Sequence, residues 1–100
     1  MKIRCLYRKN LKLSDQKLAA QTGHVVGNLL RLNDEYGFGK IDRDTTIVVL
    51  KASDKKFEEK RRELEDLKGK DMLIYYLQVD LGLTEVAPNT ETVIGWIENE

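Results

Sequence analysis

The pattern of apolar and polar positions in the first third of the chain predicts a strand followed by a long helix. Apolar and polar residues alternate in residues 2–8, which are also rich in β-forming side chains. This pattern is typical of a half-buried strand. Ser14 is suited to cap a helix from about Asp15 to Leu32. The apolar stripe of this helix consists of Leu18, the methyl group of Thr22, Val25, Leu29 and Leu32. Residues 33–44 are expected to form a loop or the end of the helix.

The middle of the chain predicts a second strand and a second helix. Residues 45–51 form a nearly continuous apolar run rich in β-branched side chains, which favours an interior strand buried on both faces. Either Ser53 or Asp54 caps a helix that runs to about Lys68, and Gly69 is placed to stop it. The thin apolar stripe of this helix consists of Phe57, Leu64 and Leu67. Its other faces are charged, and we interpret them as solvated.

The end of the chain completes the pattern and indicates the fold class. Residues 72–79 and 92–97 are the last two predicted strands, and the polar turn between them holds Pro88, the only proline. The order strand, helix, strand, helix, strand, strand is typical of an α/β fold. We expect a three-layer sandwich, with a mixed sheet of about four strands and helices on both faces. A chain of 100 residues is long enough for one modest core, so residues 1–100 are expected to form a single domain.

Composition narrows the class of protein. The chain is 41% hydrophobic and 34% charged, which is typical of a folded globular protein. No apolar run approaches the roughly 18 residues that a membrane span needs. The N-terminus lacks the apolar core of a secretory signal, and the single cysteine, Cys5, cannot form an internal disulfide, so a cytoplasmic location is expected. One cysteine and one histidine argue against a zinc site, and no cofactor is expected.

The formal net charge is zero, but it is unevenly distributed. Residues 1–40 carry eight Lys and Arg against three Asp and Glu, whereas residues 41–100 carry nine against fourteen. A cationic half can face phosphates even in a neutral chain. The alternative, that charges scatter unevenly in any short chain, stays open at this point.

Two polar segments are candidates for a functional site. At about 100° per residue, Lys17, Gln21, His24 and Asn28 fall on one face of the first helix, beside its apolar stripe. An ordinary solvated helix face is the alternative interpretation. The second segment starts at Asp80, which ends a predicted strand, where functional residues are common. Asp80 could equally cap the turn that follows.

Together the two segments resemble the motifs of the archaeal and eukaryotic-type (type 2) peptidyl-tRNA hydrolases. In that family a first strand leads into an Arg-Lys-Asp-Leu-like turn, here residues 8–11. A helix follows that opens with Lys, a small apolar residue and Ala-Ala-Gln, with a His shortly after, here residues 17–24. The second motif, Asp-Ala-Gly-x-Thr and then Pro-Gly-Thr-x-Thr, corresponds to residues 80–84 and 88–92. Both motifs occur in the same order and at matching distances from the strands.

The resemblance implies an α/β enzyme that hydrolyses the ester bond between a peptide and its tRNA and so recycles the tRNA. The catalytic residues implied by it are Lys17, Asp80, Thr84 and Thr92. The residues expected to contact peptidyl-tRNA are Arg8, Lys9, Lys12, Gln21 and His24. The resemblance also suggests a homodimer. The alternative is a non-catalytic RNA- or protein-binding module of the same fold, which Glu85, in place of the family's usual Gln, favours.

Overall fold

The computed structural model describes residues 1–36, 44–67, 74–80 and 90–98. The elements in chain order are β1 (Lys2–Arg8), a 3-10 turn (Lys9–Leu11), α1 (Asp15–Tyr36), β2 (Thr46–Ala52), α2 (Asp54–Leu67), β3 (Tyr75–Asp80) and β4 (Thr90–Glu98). This is the predicted order of strands and helices. Helix α1 runs past its predicted end at Leu32, and β4 begins before its predicted start at Thr92. The predicted stop at Gly69, the first residues of the third predicted strand and Pro88 lie outside the described residues.

Both helices begin at serine caps. The backbone N–H of Lys17 donates to the Ser14 hydroxyl at 3.1 Å, and the N–H of Lys56 donates to the Ser53 hydroxyl at 3.2 Å. Each serine thereby satisfies one of the backbone donors that a helix start leaves without an intrahelical acceptor. The predicted cap at Ser14 is confirmed, and Ser53 rather than Asp54 caps the second helix.

The four strands form one mixed sheet in the order β2-β1-β4-β3. β1 runs parallel to β2, with Ile3 opposite Ile47, and antiparallel to β4, with Ile3 opposite Ile97. β4 also runs antiparallel to β3. The prediction of an α/β fold with a four-stranded mixed sheet is confirmed.

The helices pack against opposite faces of this sheet. Ile3 and Cys5 of β1 belong to the same buried cluster as Val25 of α1, whereas Leu6 packs with Phe57 of α2. Successive side chains of a strand point to opposite faces, so the two clusters lie on opposite sides of β1. Two apolar layers therefore flank the sheet, one under each helix.

The prediction that the second strand is interior and buried on both faces is wrong. Within the described residues β2 pairs with β1 alone and forms an edge of the sheet. Ile47 is 51% exposed, Val49 39% and Leu50 49%. α1 packs mainly over β3 and β4, so it does not cover β2. A continuous apolar run shows that the side chains of a strand are apolar. It does not show whether the strand lies in the interior or at the edge of the sheet.

Helix α1 packs closely against the sheet at Gly95 of β4. A Cβ atom at this position would collide with Cγ1 of Val25 and lie 3.1 Å from Cδ1 of Leu29. The missing side chain lets the helix pack directly on the strand backbone. This contact sets the height of α1 above the sheet, and α1 carries Lys17 and Gln21 at its start.

Candidate active site

A lysine and a carboxylate meet where α1 crosses the end of β3. The Lys17 ammonium nitrogen lies 2.6 Å from Oδ2 of Asp80. Lys17 sits in the first turn of α1, and Asp80 is the last residue of β3. The Lys17 side chain keeps 16% of its surface exposed, whereas that of Asp80 keeps 1%. The carboxylate is thus inside the protein, and part of the Lys17 side chain stays exposed.

Two buried polar side chains also contact this pair or each other. The Gln21 amide donates from Nε2 to Asp80 Oδ2 at 3.0 Å. The Thr92 hydroxyl donates to Gln21 Oε1 at 2.7 Å. Gln21 is 5% exposed and Thr92 is 0% exposed. We call Lys17, Gln21, Asp80 and Thr92 the polar cluster.

An irregularity in β4 turns Thr92 toward α1. Gln78 of β3 pairs with Val93, and the next residue, Val79, pairs with Glu91, so Thr92 has no partner in this described register. This is the pattern of a β-bulge, in which one extra residue interrupts the alternation of faces. Val93 packs in the cluster under α1, and Thr92 bonds to Gln21 of the same helix. Two successive side chains therefore face α1, and the second of them supplies a hydroxyl.

The polar cluster can hold a positive charge in a fixed place. A buried carboxylate is costly unless it is paired and hydrogen-bonded, and Lys17 and Gln21 provide both to Asp80. The Lys17 side chain is the more exposed member of this pair. Its ammonium group is suited to bind a carbonyl oxygen and to stabilise negative charge that develops on it. Among the described residues, no three His, Cys, Asp or Glu side chains are grouped to hold a metal ion.

Arg8 lies on the other side of the sheet. Its guanidinium contacts the carboxylates of Asp54 at 3.0 Å, Glu58 at 3.0 Å and Glu91 at 3.5 Å. It also lies 4.2 Å from the centre of the Phe57 ring. Hydrogen bonds from Asn10 and Arg8 lower the pKa of Asp54 from its ordinary value of 3.8. The structure thus ties Arg8 to α2 and does not bring it to the polar cluster, and its assignment to phosphates stays a prediction.

The other residues proposed to contact tRNA lie at different depths. Lys9, Lys12 and His24 are exposed. Lys12 has a left-handed backbone, with φ of 51°, and ends the 3-10 turn. Gln21 is buried within the polar cluster. Thr84, predicted to be catalytic, lies outside the described residues.

The sequence did not show how Gln21 and Glu91 are used. Gln21 follows Lys17 by four residues, so its place on the same helix face was evident, but its two hydrogen-bond partners come from different strands. Glu91 contacts Arg8 and Arg61 at 3.5 Å each. No local pattern around residue 91 signals these contacts, because they depend on how the sheet is assembled.

The fold and the polar cluster define an α/β protein with a lysine–carboxylate pair at a helix–sheet boundary. The family model described as "Peptidyl-tRNA hydrolase PTH2" matches residues 1–97. The chain belongs to this family. A protein named peptidyl-tRNA hydrolase from Methanopyrus kandleri is 38% identical over 91 residues, which are 88% of this chain and 76% of that protein. These findings confirm the predicted family and the predicted hydrolase function. In the part of the chain that the structure describes, no helix is both long and apolar enough to cross a membrane.

Proposed function

We propose that Lys17 and Asp80 form the catalytic centre at which this chain hydrolyses the ester bond of peptidyl-tRNA. The observation that supports this assignment is their contact at 2.6 Å with unequal burial, 16% against 1%. Because the Lys17 side chain is partly exposed and Asp80 is not, the lysine is the member of the pair that a substrate in solvent can reach. A pair that serves chemistry needs its charged donor accessible and its orienting partner protected from water.

The roles of the two residues follow from this difference in exposure. Water adds to the ester carbonyl carbon, and negative charge develops on the carbonyl oxygen. Lys17 donates to that oxygen and stabilises the charge. Asp80 holds the ammonium group in place, so the protein is organised before the substrate arrives. The bond between the carbonyl carbon and the tRNA ribose oxygen then breaks, with one proton of the added water passing to that oxygen and the other to solvent, which releases the peptide carboxylate and free tRNA.

The tRNA is proposed to bind through the basic residues that precede α1. Lys9 and Lys12 are exposed, and a lysine at the surface can replace a counterion at a phosphate. Arg8 already contacts three carboxylates, so we expect it to contribute less than the two lysines. His24 is exposed on the same helix as Lys17 and is proposed as a further substrate contact. Thr84 is proposed as an additional hydrogen-bonding residue of the catalytic centre.

We also propose that the protein acts in the cytoplasm and forms a homodimer. The exposed apolar side chains Ile47, Val49 and Leu50 on the edge strand β2 support a self-association surface. Sedimentation equilibrium of the wild type and of Val49→Lys tests this. A wild type that remains monomeric at high concentration would contradict the dimer.

The function is tested by release of amino acid from an N-blocked aminoacyl-tRNA. The wild type should turn over, and Lys17→Ala should lose most of the activity while it still binds the substrate. Lys55→Ala, which removes an exposed lysine of α2, is the charge-matched control and should behave like the wild type. A wild type that binds tRNA tightly but releases nothing would support the alternative of a non-catalytic binding module.

A further inference from the structure

We propose that Gln21 and Thr92 are positioning residues that fix the orientation of Asp80 and, through it, of Lys17. This inference rests on the proposed function of Lys17 and Asp80. It differs from the roles that the motifs imply, in which Gln21 contacts the substrate and Thr92 takes part in catalysis directly. The structure gives both side chains partners inside the protein instead.

Burial separates these two residues from Lys17. Thr92 is 0% exposed and Gln21 is 5% exposed, whereas the Lys17 side chain keeps 16% of its surface. A substrate that approaches from solvent therefore meets Lys17 before it can meet either of them. Their effect on the reaction has to pass through a residue that they touch, and that residue is Asp80.

The direction of each hydrogen bond explains how this effect arises. The Thr92 hydroxyl has one hydrogen, and it points to Gln21 Oε1 at 2.7 Å, with the Gln78 carbonyl more distant at 3.4 Å. With its oxygen held by Thr92, the Gln21 amide has to present its NH2 group to Asp80. Without the hydroxyl, Gln21 Oε1 loses its hydrogen bond from Thr92, and the amide is held less firmly beside Asp80. Thr92 thus supports the amide orientation in which the NH2 group donates to Asp80.

Both donors meet at the same carboxylate oxygen. Oδ2 of Asp80 lies 2.6 Å from Lys17 Nζ and 3.0 Å from Gln21 Nε2. An oxygen that accepts from two directions is fixed more firmly than one that accepts from a single flexible lysine. The Gln21 amide therefore restricts where the Lys17 ammonium group can lie. A purely structural polar cluster would stabilise the fold but would have no effect on the position of that group.

Three variants separate positioning from structure. Thr92→Val removes the hydroxyl and keeps the shape, Thr92→Ser restores a hydroxyl, and Gln21→Met removes the amide and keeps an unbranched chain. In the release assay we expect Thr92→Val and Gln21→Met to lower kcat about 10- to 100-fold with KM changed less than about twofold. Thr92→Ser should recover most of the lost kcat. Urea denaturation of each variant shows how much folded protein contributes to the measured rate.

A second measurement reads the position of Lys17 without any substrate. The ammonium group of a lysine held in an ion pair exchanges its protons slowly enough to give a proton–nitrogen NMR signal, which Lys17→Arg identifies by its absence. We expect this signal in the wild type and in Thr92→Ser, and its loss in Thr92→Val and Gln21→Met. If the wild type shows no hydrolysis, the proposed function fails, and the NMR signal alone then decides the positioning role.

The inference is overturned by any of three results. The first is a kcat within about threefold of wild type in folded Thr92→Val and Gln21→Met. The second is an increase in KM at constant kcat, which would make Gln21 a substrate contact. The third is a Lys17 ammonium signal that persists in both variants, which would show that Lys17 keeps its position without Gln21 and Thr92.

Discussion

Lys17 Nζ and Asp80 Oδ2 lie 2.6 Å apart across the junction of α1 and β3, and we propose that the two residues act as one functional unit. Lys17→Met should lower kcat by about 100- to 1,000-fold, the usual effect of losing one donor to developing charge, and Asp80→Asn should lower it similarly because Lys17 is then no longer held in place. The double variant should be no slower than the worse single variant, because residues that act as a unit fail together. Single-turnover release measures all three rates. Fully additive losses would show that the residues act independently.

Replacing Lys17 and replacing Asp80 should have different effects on the free energy of unfolding. Lys17→Met leaves a buried carboxylate without its counter-charge, whereas Asp80→Asn leaves a lysine that can extend to solvent. We expect Lys17→Met to lower the free energy of unfolding by roughly 1–3 kcal/mol more than Asp80→Asn does. Urea denaturation at neutral pH measures the difference, with Lys55→Met as the control. Equal losses would indicate that Asp80 is not charged in the folded protein.

Binding of tRNA should depend on salt through the exposed lysines more than through Arg8. Lys9→Ala with Lys12→Ala should reduce the slope of log affinity against log salt by about one for each lysine. Arg8→Ala should change this slope less, because its guanidinium contacts Asp54, Glu58 and Glu91. Filter binding in the Lys17→Met background prevents turnover during the measurement. A larger effect for Arg8→Ala would show that Arg8 leaves its carboxylate partners to bind a phosphate.

The close approach at Gly95 predicts a strong effect from a single methyl group. Gly95→Ala places a Cβ against Val25 and Leu29, and such overpacking costs about 1–3 kcal/mol. It should also lower activity, because α1 carries Lys17. Gly27→Ala is the matched control, since its Cβ would meet nothing within 4 Å. Gly27→Ala should raise the free energy of unfolding by roughly 0.5–1 kcal/mol, because alanine is favoured over glycine inside a helix. Urea denaturation of both variants tests the pair, and a stable Gly95→Ala would mean that α1 can move away without loss.

Ionisation of the Cys5 thiol should reduce the stability of the folded protein at alkaline pH. Burial raises the pKa of its thiol from 9.0 to about 11. The unfolded chain therefore loses this proton first, so the contribution is fully present below pH 9 and is lost as pH rises through about 11. Its size is at most roughly 2–3 kcal/mol. Comparing wild type with Cys5→Ala by urea denaturation from pH 7 to 11 isolates it from other titrating groups. Parallel curves for the two proteins would contradict a buried neutral thiol.

Local periodicity predicted what depends on neighbouring residues in the chain. Ser14 caps α1 because a cap involves residues three positions apart. Lys17 and Gln21 share a helix face for the same kind of reason. The order of elements also indicated an α/β sheet, because few topologies are compatible with it.

Features that depend on assembly of the sheet could not be predicted in this way. β2 was predicted to be a buried strand because its side chains are apolar, but its position in the sheet is set by which strands pair with β1. The contacts of Arg8 with carboxylates of α2 and β4 were not predicted, because they depend on where α2 and β4 pack against β1. Thr92 faces α1 only because the pairing of β3 with β4 is irregular at that residue. The prediction that Lys17 and Asp80 share one site came from the resemblance to the family motifs. No pattern within this one sequence indicates it.

The irregularity at Thr92 has a further consequence for what the fold requires. If Thr92 were removed from the chain, Val93 would follow Glu91 in the ladder, and Val79 and Gln78 would face them in unbroken succession. Glu91 would still point toward Arg8, and Val93 would still point toward α1. The pairing of β3 with β4 would therefore be continuous without this residue. Thr92 is thus an extra residue in β4, and it contributes one buried hydroxyl beside Gln21.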